Sequence, residues 1–586
     1  MIDRIKIMKS YRGKVFIGVC LIVLVMGACR KSETFPVQDV TLQYVFDPRD
    51  SAGTAALKFL LNVYSVVPYG HNRVNPDYLD AASDDAVSSG TGTQVSILST
   101  AAYNSIDLPS YENVWSTTNS TNTANFWNGI RYANEFIDNI GVVPVQGFVN
   151  GIGTRYIWKN EARFLRAYFY FELVKRFGGV PLIGNTVYNI NDNLKVPRSN
   201  FSDCITYIVN ECNAIQDSLI TTPLANPASD NYRATKGAAL ALKAKVLLYA
   251  ASPLFNDPTG SVTNPLAGYT NYDATRWAQA AAAAQAVINL GAYNLDPIYP
   301  NAFLTQNDQE LIFIRTTNST ETSHNIENAN GPVGFPEAIS SGQTSPTQDL
   351  VNAFPMNNGL PITNAASGYD PNNPYNNRDP RLAYNILYNG APWLGSSLQT
   401  FEGGASKPNN GQQETVTGYY MNKFMGPEAT GSTYVNHDED WVVFRYAEIL
   451  LDYAEAENES NGPGTNVYQQ LEALRKRAGI AAGGNGLYGL QQGMTQVQMR
   501  AAIQNERRIE MPFEEQRYFD IRRWKIADSV MNAPRMGVSI TNSNGALTYN
   551  YIPVLTTKFI APKMYLYPIP YTEVLANPNL KQNPGW

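Results

Sequence analysis

The run Glu161-Ala-Arg-Phe-Leu-Arg-Ala-Tyr-Phe-Tyr-Phe-Glu-Leu-Val-Lys-Arg-Phe177, followed by Gly178-Gly179-Val180-Pro181-Leu182, constrains the fold more than any other stretch. Ala162, Leu165, Phe169 and Leu173 recur at the spacing of one helical face, and Phe164, Tyr168 and Phe171 form a second apolar stripe beside it. A helix that is apolar on two sides must be covered on both, so it belongs inside a stack of helices. The glycine pair can take the left-handed backbone that ends a helix, and Pro181 cannot continue one.

The same periodicity predicts helices over 52–67, 122–140, 201–219, 234–251, 274–290, 442–457, 467–478 and 495–511, the last running towards a helix over 513–525. Small residues such as Gly237, Ala238, Ala241 and Ala244, and the alanine run 280–284, let neighbouring helices approach closely. A loose pattern shared by 164–168, 241–245 and 446–450, at irregular spacing, fits a diverged helix-pair solenoid. Such arrays lengthen without a new core, so 586 residues do not imply several domains.

Two regions break the helical pattern. Residues 71–110, rich in Asp, Ser, Gly and Thr, read as a long surface loop of the kind that often carries function. From 293 to 440 Asn, Gly, Pro and Thr accumulate around strand-like runs at 310–315 and 418–424, and Tyr369, Tyr375, Trp393 and Phe401 argue that this lobe is ordered. The expected layout is a helical scaffold over 40–292, a loop-rich ligand-binding lobe over 293–440 and a second scaffold part over 441–586, the whole forming one unit. The tail 565–586 reads as extended and proline-punctuated.

The amino terminus reads as a targeting segment. Arg4, Lys6, Lys9, Arg12 and Lys14 precede an apolar run from Val15 to Met26 that is too short to span a bilayer comfortably. Leu24-Val25-Met26-Gly27-Ala28-Cys29 resembles a bacterial lipobox, which implies cleavage after residue 28, acylation of Cys29 and a tether over 29–39. Each buried methylene adds about 0.8 kcal/mol, so several acyl chains make a durable anchor. Cys204 and Cys212 lie about 12 Å apart along one predicted helix, too far to bridge, and read as buried apolar residues.

A formal charge of −6 offers no basic footprint for nucleic acid. There is no phosphate-binding loop, nucleophile elbow or His-Glu-x-x-His pair, and no cofactor, metal or catalytic residue is assigned. The densest charge run, Glu506 to Arg523, reads as ion pairs that hold the terminal helices together rather than as a catalytic carboxylate pair. His437-Asp438-Glu439-Asp440 reads as a solvated turn before a helix. Residues 370–381 lack the glycine and glutamate that an EF-hand needs.

These segments, in order, resemble the SusD/RagB family of Bacteroidota outer-membrane nutrient-binding lipoproteins. The resemblance rests on Trp127 to Asn134, Glu161 to Ala167 with Phe177 to Leu182, Ala234 to Ala239, Arg378-Asp-Pro-Arg381 and Phe444 to Ala456. It continues through Leu474 to Gly479, Glu506 to Glu510 with Arg517 to Arg523, Pro568-Ile-Pro570 and Asn583-Pro-Gly585. It implies a mainly α fold of about four tetratricopeptide-like helix pairs, with an irregular lobe containing a few short strands. It also implies a cell-surface lipoprotein, not an enzyme, that captures an oligosaccharide or polysaccharide and acts as lid for a SusC-like TonB-dependent transporter in the outer membrane. A peptide ligand, a lipid-anchored hydrolase and a protein-binding adaptor are the alternatives.

Sugar recognition requires flat aromatic faces ringed by amides and charged donors. Aromatics in loops are the better candidates, since helical ones usually pack inward. The candidates are Tyr69, His71 and Trp115 around the first loop and Phe335, Tyr369 and Trp393 in the lobe, with Asn113, Asn330 and Arg378 as polar partners.

Overall fold

The computed structural model describes residues 41–115, 125–221, 233–317, 325–335, 341–426, 431, 433–435 and 437–586. The expected signal segment, lipidation residue Cys29 and tether lie outside the described residues. Residues up to Asp47 form a unit of their own, of which the described part holds one helical turn, Leu42–Val45, capped by the Thr41 hydroxyl.

In the unit from Pro48 to Trp586, eight helices form four stacked pairs. Thr54–Tyr64 (α1) lies against Phe126–Asn139 (α2), and Thr154–Phe177 (α3) against Phe201–Ile215 (α4). Lys236–Ala251 (α5) lies against Thr275–Leu290 (α6), and Tyr446–Asn461 (α7) against Thr465–Arg477 (α8). Contacts between α2 and α3, α4 and α5, and α6 and α7 join the pairs into a tetratricopeptide-like stack. Gln496–Glu510 (α9) then packs on α7, and Gln516–Arg523 (α10) follows it. Because α6 and α7 touch, everything between Leu290 and Tyr446 is an excursion from one point of the stack. Among the described residues no helix is long and apolar enough to cross a membrane.

The central helix is buried as its two stripes require: Ala162, Phe164, Leu165, Phe169, Tyr170 and Leu173 are fully enclosed. Its stop is steric. Gly178 takes φ 74°, and a side chain at Gly179 would run into the Ser199 carbonyl. Cys204 and Cys212 are buried free thiols.

Four local expectations need correction. Residues 442–445 do not begin a helix: Trp441–Arg445 is a strand (β4) antiparallel to Leu311–Arg315 (β2), and α7 starts at Tyr446. Only Tyr420–Met421 of the 418–424 run is strand. Pro534–Ser543 (β5) and Ala546–Thr556 (β6) form a long hairpin where no strand was expected. Its turn, Asn544-Gly545, has both residues at positive φ, the geometry for which this dipeptide is suited.

The fourth correction concerns the first part of 71–110: residues 71–87 are largely interior. Tyr78, Leu79, Asp80, Asp84, Asp85, Ala86 and Val87 are buried, and Ala86–Ser88 (β1) pairs with Thr344–Pro346 (β3). The carboxylates are what fix it. Asp84 takes a bidentate pair from Arg517 at 2.7 and 2.8 Å, Asp85 accepts from Arg508 at 2.6 Å, and Asp80 accepts the backbone N–H groups of Phe513 and Glu515.

The carboxyl-terminal charge run is an ion-pair lattice inside the protein. Glu510 meets Arg381 and Arg445 at 2.9 and 2.8 Å and also Arg477. Glu506 pairs with Arg381 and Arg475, Glu514 with Arg445 and Lys423, and Glu310 with Arg445 and Arg477. Arg507 and Arg523 share Asp520, and reach Glu448, Asp452 and Glu455 on α7. This lattice ties the strand pair β2 and β4 and the lobe residue Arg381 to α9, so the excursion leaves the stack on fixed struts.

Candidate functional site

Where the chain leaves α1 and β2, a cleft of about 700 Å³ opens. Its walls are residues 65–69 and 71–73 with Asn75 after α1, Tyr111, the first turns of α2 (Asn125, Asn128, Tyr132), and Arg315, Thr316 and Thr317 at the end of β2. Asn125 is there because it caps α2, its side-chain oxygen accepting from the Asn128 N–H at 3.0 Å. Tyr69, Tyr111 and Tyr132 are half-buried, each leaving ring surface exposed beside amide and hydroxyl groups.

His71 organises one wall. It is 5% exposed, with its ring edge-on to Tyr69, Phe424 and Trp441 at centroid distances of 5.1, 4.7 and 5.0 Å. Burial pushes its pKa down to about 3, so the ring is neutral. Nε2 lies 3.2 Å from the Asp440 carbonyl and must donate; Nδ1 then accepts from the Tyr78 hydroxyl at 2.7 Å. The Tyr69 hydroxyl donates to Glu439 at 3.1 Å. His71 therefore shapes the cleft, and Tyr69 faces it.

Residues 437–440 are not a solvated turn: they close this wall from behind. Glu439 is 2% exposed and accepts from Ile326 N–H at 3.1 Å, while Asp440 accepts from Thr317 N–H at 2.7 Å. Burial raises Glu439 to about 7 and Asp440 to about 6. Arg73 is held by Glu112 at 2.5 Å and Glu515 at 2.7 Å.

The other sequence candidates are dispersed. Asn330 stands behind the cleft, donating to the Asn72 side chain at 2.8 Å and accepting from Thr344 N–H at 3.1 Å. Trp115 is buried against Trp127 and Phe177, and Asn113 ends a turn in which its N–H reaches the Pro109 carbonyl. Trp393 is fully buried in the lobe. Arg378 spends its guanidinium on the carbonyls of Val351, Phe354 and Pro374 and sits 5.6 Å from the Tyr369 ring. Tyr369 and Phe335 are half-buried. The structure thus brings Tyr69 and His71 to the cleft wall, sets Asn330 behind it and leaves the rest elsewhere.

Sequence reasoning passed over Asn72, Asn75, Tyr111, Asn125, Asn128, Tyr132 and Arg315. Tyr132 falls inside the helix predicted over 122–140, and Arg315 ends the strand-like run 310–315. Among the described residues no group of three or more His, Cys, Asp or Glu is arranged to hold a metal ion.

Two family models match the chain. One, described as the SusD family, covers residues 309–586, and the other, described as starch-binding associating with outer membrane, covers residues 60–248. The SusD-like protein P2 of Formosa agariphila is 32% identical over 148 residues, 25% of this chain and 26% of its own length. The SusD-like protein P25 of the same organism is 33% identical over 165 residues, 28% of this chain and 27% of its own length. The chain therefore spans about a quarter of each of these curated relatives. A SusD-like protein of Bacteroides fragilis superposes with a TM-score of 0.73 at 24% identity, covering 92% of this chain and 98% of that one. A second from that organism, a SusD-like carbohydrate binding protein, gives 0.71 at 23% over 91% and 99%. A laminarin binding SusD-like protein gives 0.61 at 22% over 91% and 99%. The two family models match separate parts of the chain, residues 60–248 and 309–586, the folds superpose over 91–92% of it, and together they place the chain in the SusD/RagB family.

Proposed function

We propose that the protein is a cell-surface glycan-binding lipoprotein that holds an oligosaccharide in the cleft between α1, α2 and β2 and serves as lid for a SusC-like TonB-dependent outer-membrane transporter. The observation that carries the reading is the cleft wall. Three part-exposed tyrosines and a set of amides and hydroxyls line it, and among the described lining residues there is no Asp or Glu. Tyrosine faces stack on sugar rings while amides and hydroxyls bond their hydroxyl groups. Hydrolysis of a glycoside by the usual route needs two carboxyl groups flanking the bond, and this wall offers none. The carbohydrate binding and laminarin binding proteins that share the fold, and the matching family described as starch-binding associating with outer membrane, point the same way.

In this reading Cys29 carries the lipid, residues 29–39 are the tether, and the stretch 293–440 supplies the irregular part of the ligand-binding half. The test is binding of the full chain to a panel of polysaccharides, oligosaccharides and peptides, with product analysis of each mixture. Retention without cleavage is expected, weakened about tenfold or more by Tyr69→Ala or Tyr111→Ala, in line with about 1–3 kcal/mol for a stacked aromatic. Cleavage of a ligand, or full affinity in both variants, would overturn it. Binding to peptides alone would keep the capture role and replace the ligand. Cys29→Ala should release the protein from membranes.

A further inference from the structure

Resting on the glycan-capture reading, we propose that the cleft selects an acidic glycan, one bearing a uronate carboxylate or a sulfate ester, and that Arg315 is the residue that reads the anion. In a chain with 50 acidic and 44 basic side chains, the described wall of the cleft carries Arg73 and Arg315 and no Asp or Glu. His71 adds no charge, being neutral. Glu439 and Asp440 approach only from behind, with oxygens taken by the Tyr69 hydroxyl and by the N–H groups of Ile326 and Thr317.

The two arginines differ. Arg73 is matched by Glu112 and Glu515, so its charge is spent inside the protein. Arg315 has no carboxylate partner among the described residues. Its Nη1 donates to the Ser65 carbonyl at 2.7 Å and to the Val67 carbonyl, which orients the guanidinium without neutralising it. The other edge, Nε and Nη2, has no acceptor among the described residues. That edge is the two-pronged donor that fits a carboxylate or sulfate side-on. Partial burial in this setting disfavours the charged form and lowers the Arg315 pKa, a penalty that a bound anion would offset. Arg198 and Arg378 also lack carboxylates, but each donates to three or more acceptors of the protein and neither lines the cleft.

A chain of net charge −6 does not attract polyanions indiscriminately, so a preference for charged glycan would have to arise locally. The experiment is isothermal titration of the full chain in detergent with two matched pairs, dextran against dextran sulfate and methyl-esterified polygalacturonate against polygalacturonate, run beside the wider panel above. The charged member of at least one pair is expected to bind about tenfold or more tightly than its neutral partner, the worth of a charge-assisted contact. The advantage should shrink with added salt, disappear in Arg315→Gln and survive in part in Arg315→Lys. Thermal melts of both variants guard against a folding defect. The pair that shows the advantage tells carboxylate from sulfate. Equal or weaker binding of both charged members, or an Arg315→Gln variant that keeps the preference, overturns the inference and leaves the capture reading standing. Absence of binding to every glycan removes the capture reading and the inference with it.

Discussion

Glu510 is the residue whose loss the ion-pair lattice should feel most. Its carboxylate faces Arg381, Arg445 and Arg477, all essentially enclosed. Around it five carboxylates (Glu310, Asp379, Glu506, Glu510, Glu514) are matched by five cations (Arg381, Lys423, Arg445, Arg475, Arg477). Burial alone would push Glu510 up, yet the three arginines outweigh it and hold the carboxyl well below the usual range. Glu510→Gln keeps the shape and removes one charge from a balanced set, leaving a buried excess of positive charge. Breaking a buried pair in this way costs about 3–5 kcal/mol. Taking about 2.1 cal/mol/K per residue for the unfolding entropy over residues 48–586, that is a fall of about 3–4 °C in melting temperature. Differential scanning calorimetry of the full chain measures it. Asp217→Asn, which breaks a pair with Lys236 whose carboxylate is 73% exposed, is the internal control and should move the melt by under about 1 °C. If Glu510→Gln shifts the melt no more than Asp217→Asn does, the lattice is not what holds β2 and β4 to α9.

Three further outcomes are expected. The Glu439 carboxyl rises from 4.5 to about 7 in the folded protein, so between those values the folded state keeps a proton that the unfolded chain releases. Its contribution therefore lowers stability as pH climbs through that window and stays constant above it. Glu439→Gln should gain stability over the parent at about pH 8 and little at about pH 5, and denaturant titrations showing a pH-independent difference would refute this. The His71 ring should show no NMR titration above about pH 5 and should carry its proton on Nε2, whereas a midpoint near the ordinary 6.5 would contradict its enclosure. Gly70→Ala places a methyl inside the Trp441 indole, at an expected cost of about 1–3 kcal/mol in denaturant stability. The displaced indole should also weaken ligand binding through His71, and unchanged affinity would show that this wall is not part of the site.

The scaffold was legible because its signals are local. Every helix of the stack announces itself by a period and most by a stop, and the alanine-rich faces of α5 and α6 say that they touch. The hairpin was passed over although a local signal exists: Asn544-Gly545 marks its turn, while proline at 534 and 553 masks the strand pattern. What could not be read is contact across the chain. Nothing within 71–110 reveals that Asp80, Asp84 and Asp85 answer to backbone amides and arginines beyond residue 507. A polar run whose partners lie far along the sequence looks the same as a solvated loop. The cleft suffers likewise, since Tyr132 obeys helical periodicity while facing the site, and Arg315 ends a strand whose neighbour comes from β4.

The placement of the charges separates fold from ligand. Four of the segments that carry the family resemblance, Arg378 to Arg381, Phe444 to Ala456, Leu474 to Gly479 and Glu506 to Glu510 with Arg517 to Arg523, supply much of the buried lattice and none of the cleft lining, whereas another, Trp127 to Asn134, gives Asn128 and Tyr132 to its wall. The lattice fixes β2 and β4 by way of Arg445 and Glu310. Arg315, at the far end of β2 opposite Trp441, is delivered to the cleft by that strand and takes no part in the lattice, its bonds running to the Ser65 and Val67 carbonyls. A substitution at Arg315, Tyr69 or Tyr111 can therefore change what is bound at little cost to the stack, whereas one at Glu510 weakens the struts and leaves the binding chemistry in place. Stability and affinity should separate cleanly between these two sets of positions; variants at Glu510 that lose affinity without losing stability would show that the lattice takes a direct part in the site.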